Sequence, residues 1–467
     1  MGIPILPDGS NMGLMKPIRP DIVARFEGQR APRYTSYPTA PHFTHTIDDA
    51  EYQMLLTGLP ADGSLSLYLH VPFCQTMCWY CGCHTRIVAS YSPIEAYLKA
   101  LEAEIRMVAA ALPQRMNVRH IHWGGGTPTI MAPEAFRGLM DVLRDCFEIL
   151  PGAEVAVEID PRRITDEMIR ALGNGGVTRA SLGVQSFDPT VQKAINRIQS
   201  YEQTARATDA LRSMGIEAIN FDLIYGLPHQ TVASCEDTVA RALQLAPDQL
   251  SVFGYAHVPW MKKRQRMIET SALPNPQQRL AQFGAIAQCL TDSRYRRIGL
   301  DHFAKPDDRL VRCLDAGTLH RNFQGYTSDQ CATLIGFGAS AVGTLPQAYV
   351  QNTTQVGEYR RRIEAGSFAI QRGRRVTAED RLRRDVIERI MCDFRVDLDV
   401  VATRHGLNVG HFAGEFARLC DLERDGIVRV EGAMVSLDET YWPLARTVAA
   451  IFDAYLQPAE QRHAAAI

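Results

Sequence analysis

From about residue 65 to residue 300 the sequence alternates between short apolar runs and amphipathic stretches, and this alternation restricts the fold more than any other feature of the chain. Runs rich in Val, Ile and Leu at 65–73, 119–124, 154–160, 179–185, 218–225, 249–256 and 295–300 read as strands. Helical patterns fill the gaps at 94–112, 132–147, 165–174, 188–195, 202–215, 231–245 and 276–292. Strands that are apolar throughout belong in a parallel sheet covered by helices. Six or seven βα units in succession therefore predict an α/β fold, a full or partial (β/α) barrel. Active sites of such barrels lie at the carboxyl ends of the strands.

Those ends carry Cys74, Gly124 to Thr127, Glu158 and Asp160, Gln185, Asp222, and Tyr255-Ala256-His257. A plain scaffold has no reason to deliver something chemical at the same end of every strand, so the pattern predicts one shared site. The first strand runs into Cys74-Gln75-Thr76-Met77-Cys78-Trp79-Tyr80-Cys81-Gly82-Cys83, which holds four of the 11 cysteines. A CxxxC followed by CxxC places three thiolates on a short arc able to wrap a compact metal centre. An all-protein iron–sulfur cluster takes four cysteines, so three would leave one iron open to an outside ligand. The other reading is a zinc ion that adds Cys83 as a fourth sulfur, although zinc ribbons pair two separated knuckles and here all the thiols share one loop. One strand later, His122-Trp123-Gly124-Gly125-Gly126-Thr127-Pro128 offers bare backbone able to grip an amino-acid head group.

A chain of 467 residues suggests about three domains. Its formal charge of −2 gives no pull toward nucleic acid or anionic membrane, and no apolar stretch reaches membrane-spanning length. The start, Met1 to Gly9, lacks the pattern of a signal peptide, and the other cysteines (146, 235, 289, 313, 331, 392 and 420) are scattered like reduced core thiols. The expected location is the cytoplasm. Residues 1–29 read as a loose extension, with Met1 or Met15 as the start. Residues 30–64 read as a strap and helix over the site, because Arg30 to Phe43 holds three prolines and three aromatics. Residues 65–365 form the barrel and a substrate-site extension, and the Arg-rich stretch Gly366 to Arg375 reads as a linker. The last part, 376–467, opens on a capping-box pair, Thr377 and Asp380, and continues through helices near 379–395, 398–405, 409–425 and 442–456 with a hairpin-like piece at 427–437. A small winged-helix-like domain follows, expected to cap the barrel without binding DNA.

The cysteine loop joined to the glycine run resembles the radical S-adenosylmethionine superfamily, in which the open iron is chelated by the methionine amino and carboxylate groups. The resemblance sharpens at Pro32 to Thr39, His70-Val71-Pro72-Phe73-Cys74, Gly82-Cys83, Val184-Gln185, Asn220 to Pro228 and 320–327. Together these are similar to the oxygen-independent coproporphyrinogen III oxidases (coproporphyrinogen dehydrogenases), from about Arg30 to the C-terminal domain. The resemblance implies that Cys74, Cys78 and Cys81 hold a 4Fe-4S cluster and that Cys83 is a neighbour. It implies two S-adenosylmethionine molecules in pockets at Tyr68, Tyr80, Gly125, Gly126, Thr127, Glu158, Gln185, Arg197, Asp222, Ala256 and Val342. Glu158, Gln185 and Asp222 can accept from ribose hydroxyls or an ammonium, Arg197 can fork onto a carboxylate, and the tyrosines suit an adenine or a sulfonium. At Tyr80 the family more often has Phe.

The implied reaction starts when a reduced cluster splits S-adenosylmethionine into methionine and a 5′-deoxyadenosyl radical. The radical takes a hydrogen from a propionate β-carbon, and the substrate radical loses CO2 and one electron to leave a vinyl group. Two such events turn coproporphyrinogen III into protoporphyrinogen IX, with no protein side chain as catalyst. The implied partners are the substrate and a low-potential donor such as flavodoxin or ferredoxin; a monomer suffices. Four substrate carboxylates call for cations, for which Arg33 and Arg321 are the candidates. Lys262 to Arg266 reads as a solvated loop. The rival readings are a haem-binding chaperone on the same scaffold, a radical enzyme that opens haem, and a zinc-stabilised nucleotide-binding protein.

Overall fold

The structure, a computed structural model, describes residues 18–456, so Met1 and Met15 lie outside the described residues. Six strands stand parallel and in chain order: β1 (Ser64–Val71), β2 (Asn117–Gly125), β3 (Glu148–Ile159), β4 (Arg179–Gln185), β5 (Ala218–Tyr225) and β6 (Gln249–Gly254). The expected helices join them. The helix Pro133–Cys146, for example, buries Phe136, Leu139, Met140, Val142 and Leu143, mostly at the three- and four-residue spacing of one helical face. On β1 the period of two sends Leu65, Leu67, Leu69 and Val71 into the apolar core and turns Tyr68 and His70 the other way.

The sheet continues past both ends of this set. To it belong β7 (Arg296–Ile298), β8 (His302–Ala304), β9 (Thr333–Phe337), β10 (Val342–Leu345), β11 (Ala348–Asn352) and β12 (Ile370–Arg375). The spatial order is β12-β11-β10-β9-β1-β2-β3-β4-β5-β6-β8-β7, an open curve of 12 strands and so a partial barrel. Strand β9 runs parallel to β1, whereas β10 to β12 form an antiparallel meander.

Two expectations about the sheet need correction. The run at 295–300 is no seventh barrel strand: it is cut to three residues, and β8 folds back antiparallel between it and β6. Gly299 makes that reversal at φ +54°, pressed against the Tyr326 ring where a Cβ would not fit. The supposed linker Gly366 to Arg375 is largely strand β12, whose arginines suit a sheet edge. The strap closes that edge through paired backbone bonds between Thr44 and Gly373 (2.9 and 2.8 Å).

The C-terminal part holds helices Ala378–Asp393, Leu398–Arg404, Ala413–Arg424 and Ala445–Ala449 around a small sheet of Arg395–Asp397, Val428–Glu431 and Met434–Leu437. Its core also takes in the N-terminus. Residues Pro20–Phe26 form a helix whose Ile22 and Phe26 pack there, so the expected looseness of 1–29 does not hold for that stretch. Tyr34 and Tyr37 of the strap join the same core, and the Tyr34 hydroxyl lies 3.1 Å from Asp453. No helix among the described residues is long and apolar enough to cross a membrane.

One buried carboxylate ties the meander to the barrel. Glu104, on the helix Ser92–Ala111, accepts hydrogen bonds from the Gly338 amide (2.7 Å), Asn352 Nδ2 (2.6 Å) and the Tyr359 hydroxyl (2.7 Å). Burial pushes its carboxyl up to about 7.

Candidate functional site

A cleft of about 670 Å³ opens at the carboxyl ends of the parallel strands, and the cysteine loop forms one wall of it. The loop is closed at its base by pairing of Phe73–Cys74 with Arg86–Ile87. Two other segments pin it. The Trp79 amide bonds to the Ile195 carbonyl (3.0 Å), Asn196 Nδ2 to the Met77 carbonyl (2.8 Å), and Gln265 Nε2 to the Tyr80 carbonyl (2.9 Å). The stretch Lys262 to Arg266 is therefore not a solvated loop: Gln265 is buried within it, and Lys262 and Arg264 face the cleft.

Each of three sulfurs accepts a hydrogen bond. Thr85 Oγ1 donates to Cys74 Sγ (3.2 Å), Arg197 Nη1 and Arg162 Nη2 approach Cys78 Sγ (3.6 and 3.7 Å), and the Cys83 amide meets Cys81 Sγ (3.4 Å). Such donors stabilise thiolate charge. Among the described residues no set of three or more His, Cys, Asp or Glu side chains converges as a single metal ion requires. Three thiols on one loop with donors behind them fit the ligand set of a cluster that leaves one iron open. Beside them Gln185 Oε1 and Arg197 Nε are buried without a protein hydrogen bond, a cost that a polar ligand in the cleft would remove.

The glycine run is stitched to the first strand: the Gly126 amide bonds to the Val71 carbonyl and the Thr127 amide to the Phe73 carbonyl, both at 2.9 Å. A Cβ at Gly126 would stand 2.5 Å from the Phe73 carbonyl oxygen, so this close approach requires glycine. Glu158 accepts from the Gly125 amide (3.0 Å) and lies 3.4 Å from His122 Nε2. Burial opposes its charge, but His122 and that amide outweigh burial and hold the carboxyl below its usual range. Asp222 goes the other way, raised by burial and then by Glu158 despite donors from Ser181 (3.0 Å) and Asn220 (2.9 Å). Arg197, only 6% exposed, is fixed by the Gly183 carbonyl (2.6 Å) and by Asp160 (3.4 Å).

Of the eleven residues expected around S-adenosylmethionine, nine line this cleft: Tyr80, Gly125, Gly126, Thr127, Glu158, Gln185, Arg197, Asp222 and Ala256. The other two do not. Tyr68 stands behind the wall, bonded to His70 Nδ1 (2.9 Å), and Val342 packs with Phe43, Tyr349 and Val376. Sequence reasoning missed Thr85, Arg162 and Gln265, whose roles arise only when distant segments meet. The pair Asp160 and Arg162 at the end of β3 was the nearest signal; they form an ion pair at 2.6 Å.

A second cavity, of about 370 Å³, shares Arg33, Phe253, Gly254, Tyr255 and Ala256 with the first. Both Arg33 and Arg321 line it. The Arg321 guanidinium sits 4.5 Å over the Tyr326 ring, with Nη1 3.7 Å from Asp301.

Comparison with known proteins agrees with this geometry. Residues 68–242 match the Radical SAM superfamily. The chain is 56% identical to an oxygen-independent coproporphyrinogen III oxidase of Bradyrhizobium diazoefficiens, over 96% of this chain and 100% of the relative. It is 43% identical to the protein of that name from Paracoccus denitrificans, over 94% and 97% of the two chains. A solved structure of coproporphyrinogen III oxidase from Escherichia coli, described as a radical SAM enzyme, superposes with a TM-score of 0.87 at 37% identity, covering 92% of this chain and 100% of that one.

Proposed function

The chain belongs to the oxygen-independent coproporphyrinogen III oxidases of the radical S-adenosylmethionine superfamily, and from that premise we propose how its residues share the work. The reaction is the anaerobic oxidative decarboxylation of two propionates of coproporphyrinogen III to vinyl groups, giving protoporphyrinogen IX in porphyrin and haem biosynthesis. Bound in the cleft, a 4Fe-4S cluster and S-adenosylmethionine supply the radical that takes a hydrogen from the propionate.

Cys74, Cys78 and Cys81 hold the cluster, and Cys83 stands beside it. Arg197 and Arg162 direct donors at the Cys78 sulfur. Glu158, kept ionised, receives the ammonium or ribose of S-adenosylmethionine, Gln185 offers its unpaired oxygen, and Gly125 to Thr127 present backbone. Tyr80, Asp222 and Ala256 complete the wall for one or two such molecules. Tyr68 and Val342 act from outside it. Arg33 and Arg321 serve the substrate carboxylates. The observation that carries this reading is the convergence of three hydrogen-bonded thiols with nine of the eleven expected contacts on one cleft.

The rest of the scheme extends the same reading. Residues 30–64 strap the cleft, 65–365 form the barrel with its substrate extension, and 376–467 cap it. A flavodoxin- or ferredoxin-like donor reduces a cytoplasmic monomer.

Anaerobic protein given S-adenosylmethionine and a strong reductant is expected to consume coproporphyrinogen III and form protoporphyrinogen IX. Haem bound tightly with no vinyl product would overturn the reading in favour of a haem chaperone. Arg197→Met is expected to weaken S-adenosylmethionine binding by roughly 10- to 100-fold, the scale seen when a group supporting a metal site is lost. Equilibrium dialysis of the reconstituted variant checks this.

A further inference from the structure

The second cavity is built from parts that lie far apart in the chain. Among the described residues that line it are five arginines, Arg30, Arg33, Arg279, Arg321 and Arg446, against two carboxylates, Asp301 and Glu27. They come from the strap, the helix Pro276–Asp292, the hairpin His320–Thr327 and the C-terminal domain.

Two of these guanidinium groups keep a buried nitrogen without a hydrogen bond. Arg279 Nη1 donates to the Tyr255 carbonyl (2.8 Å), and its Nε is buried without a hydrogen bond. Arg321 has a side chain 6% exposed, faces the Tyr326 ring, and keeps Nη1 buried without a hydrogen bond; Asp301 lies 3.7 Å away. Arg446 Nη1 lies 3.4 Å from the Ala31 carbonyl. The Asp301 carboxylate is the charged partner of Arg321 and also lies 2.8 Å from His302 Nδ1. Arg33 is surrounded by protein, yet its side chain is exposed to the space shared by the two cavities.

An excess of cations in a partly desolvated space is unfavourable until anions enter. The titration of the groups records this: burial and the neighbouring Arg33 lower Arg446 to about 10, and Arg33 is lowered by burial as well. Arginine is also the residue whose planar fork fits a carboxylate.

Resting on the reaction assigned above, we propose that this cavity docks the propionate carboxylates that are not under attack. Arg279 and Arg446 are then positioning residues, and Arg33 at the junction holds the arm that passes from one cavity to the other. A tetrapyrrole whose propionates are esterified loses its hold here.

The test uses the full chain, reconstituted anaerobically, with two stable probes: coproporphyrin III, which has four free carboxylates, and its tetramethyl ester, which has none. Fluorescence titration is expected to show the wild type preferring the first by at least about tenfold, the scale of one charge-assisted hydrogen bond. Arg279→Met is expected to shrink that preference roughly tenfold and to raise KM for coproporphyrinogen III more than it lowers kcat. Arg279→Lys recovers part of the loss, and unaltered cluster absorbance shows that the variant is folded. Arg446→Met gives the same pattern and stands in if Arg279→Met does not fold. A variant that weakens both probes equally, or neither, overturns the proposal. A wild type that does not consume coproporphyrinogen III overturns the assigned reaction instead.

Discussion

Cys78→Ala is expected to yield colourless protein with turnover below detection, whereas Cys83→Ala stays brown. Both residues belong to one short loop, but their surroundings differ. Cys78 is buried and faces two guanidinium groups, Arg197 and Arg162, which would be left pointing at a methyl group. The loss thus removes a proposed iron ligand and leaves Arg197 and Arg162 with Asp160 as their remaining charged partner. Cys83 is exposed, and the bond it sends to Cys81 Sγ starts from its backbone amide, which alanine keeps. Iron and sulfide analysis of anaerobically purified variants decides the matter. A zinc-loaded wild type without iron or sulfide would sink the assignment of the loop.

Glu104→Ala is expected to cost roughly 3–5 kcal/mol at pH 5, the scale of leaving three buried donors without their acceptor at about 1–3 kcal/mol each. Three donors, on Gly338, Asn352 and Tyr359, would lose their shared acceptor at once. The penalty depends on pH with a definite sign. The folded carboxyl titrates near 7 against an ordinary value of 4.5, so native Glu104 binds its proton more tightly than the unfolded chain does. Its stabilising share is complete below about 4.5, declines as pH rises, and levels off above about 7. Urea unfolding at pH 5 and pH 8 should therefore give a larger gap between wild type and variant at the lower pH. An equal gap at both would show that Glu104 is ionised throughout.

The parallel core was legible because its strands are unbroken apolar runs and its helices carry one apolar face. All six barrel strands and the helices between them lie within a few residues of their expected places. Strand β12 was hidden because edge strands tolerate charge: Arg372, Arg374 and Arg375 look like linker until β11 and the strap pair with them. The run at 295–300 misled because its apolar content says nothing of direction, which is set by the reversal at Gly299. In the site, Glu158, Gln185 and Asp222 could be found because they are polar residues in the carboxyl halves of apolar strands. Thr85, Arg162 and Gln265 could not. Nor could Arg279 and Arg446, since a helix surface and a C-terminal arginine look ordinary until the fold brings them to one cavity.

The N-terminal helix and strap have a consequence for the order of synthesis. Ile22, Phe26, Tyr34 and Tyr37 pack into a core whose other members begin at Leu382 and end at Phe452. A chain leaving the ribosome from its N-terminus carries these residues for almost its whole length before their seat exists. Throughout that interval the barrel can form while the thiols at 74–83 stay uncovered. The belt fastens last, so Ala31, Pro32 and Arg33 reach the rim of the cleft only after its thiol wall can already stand.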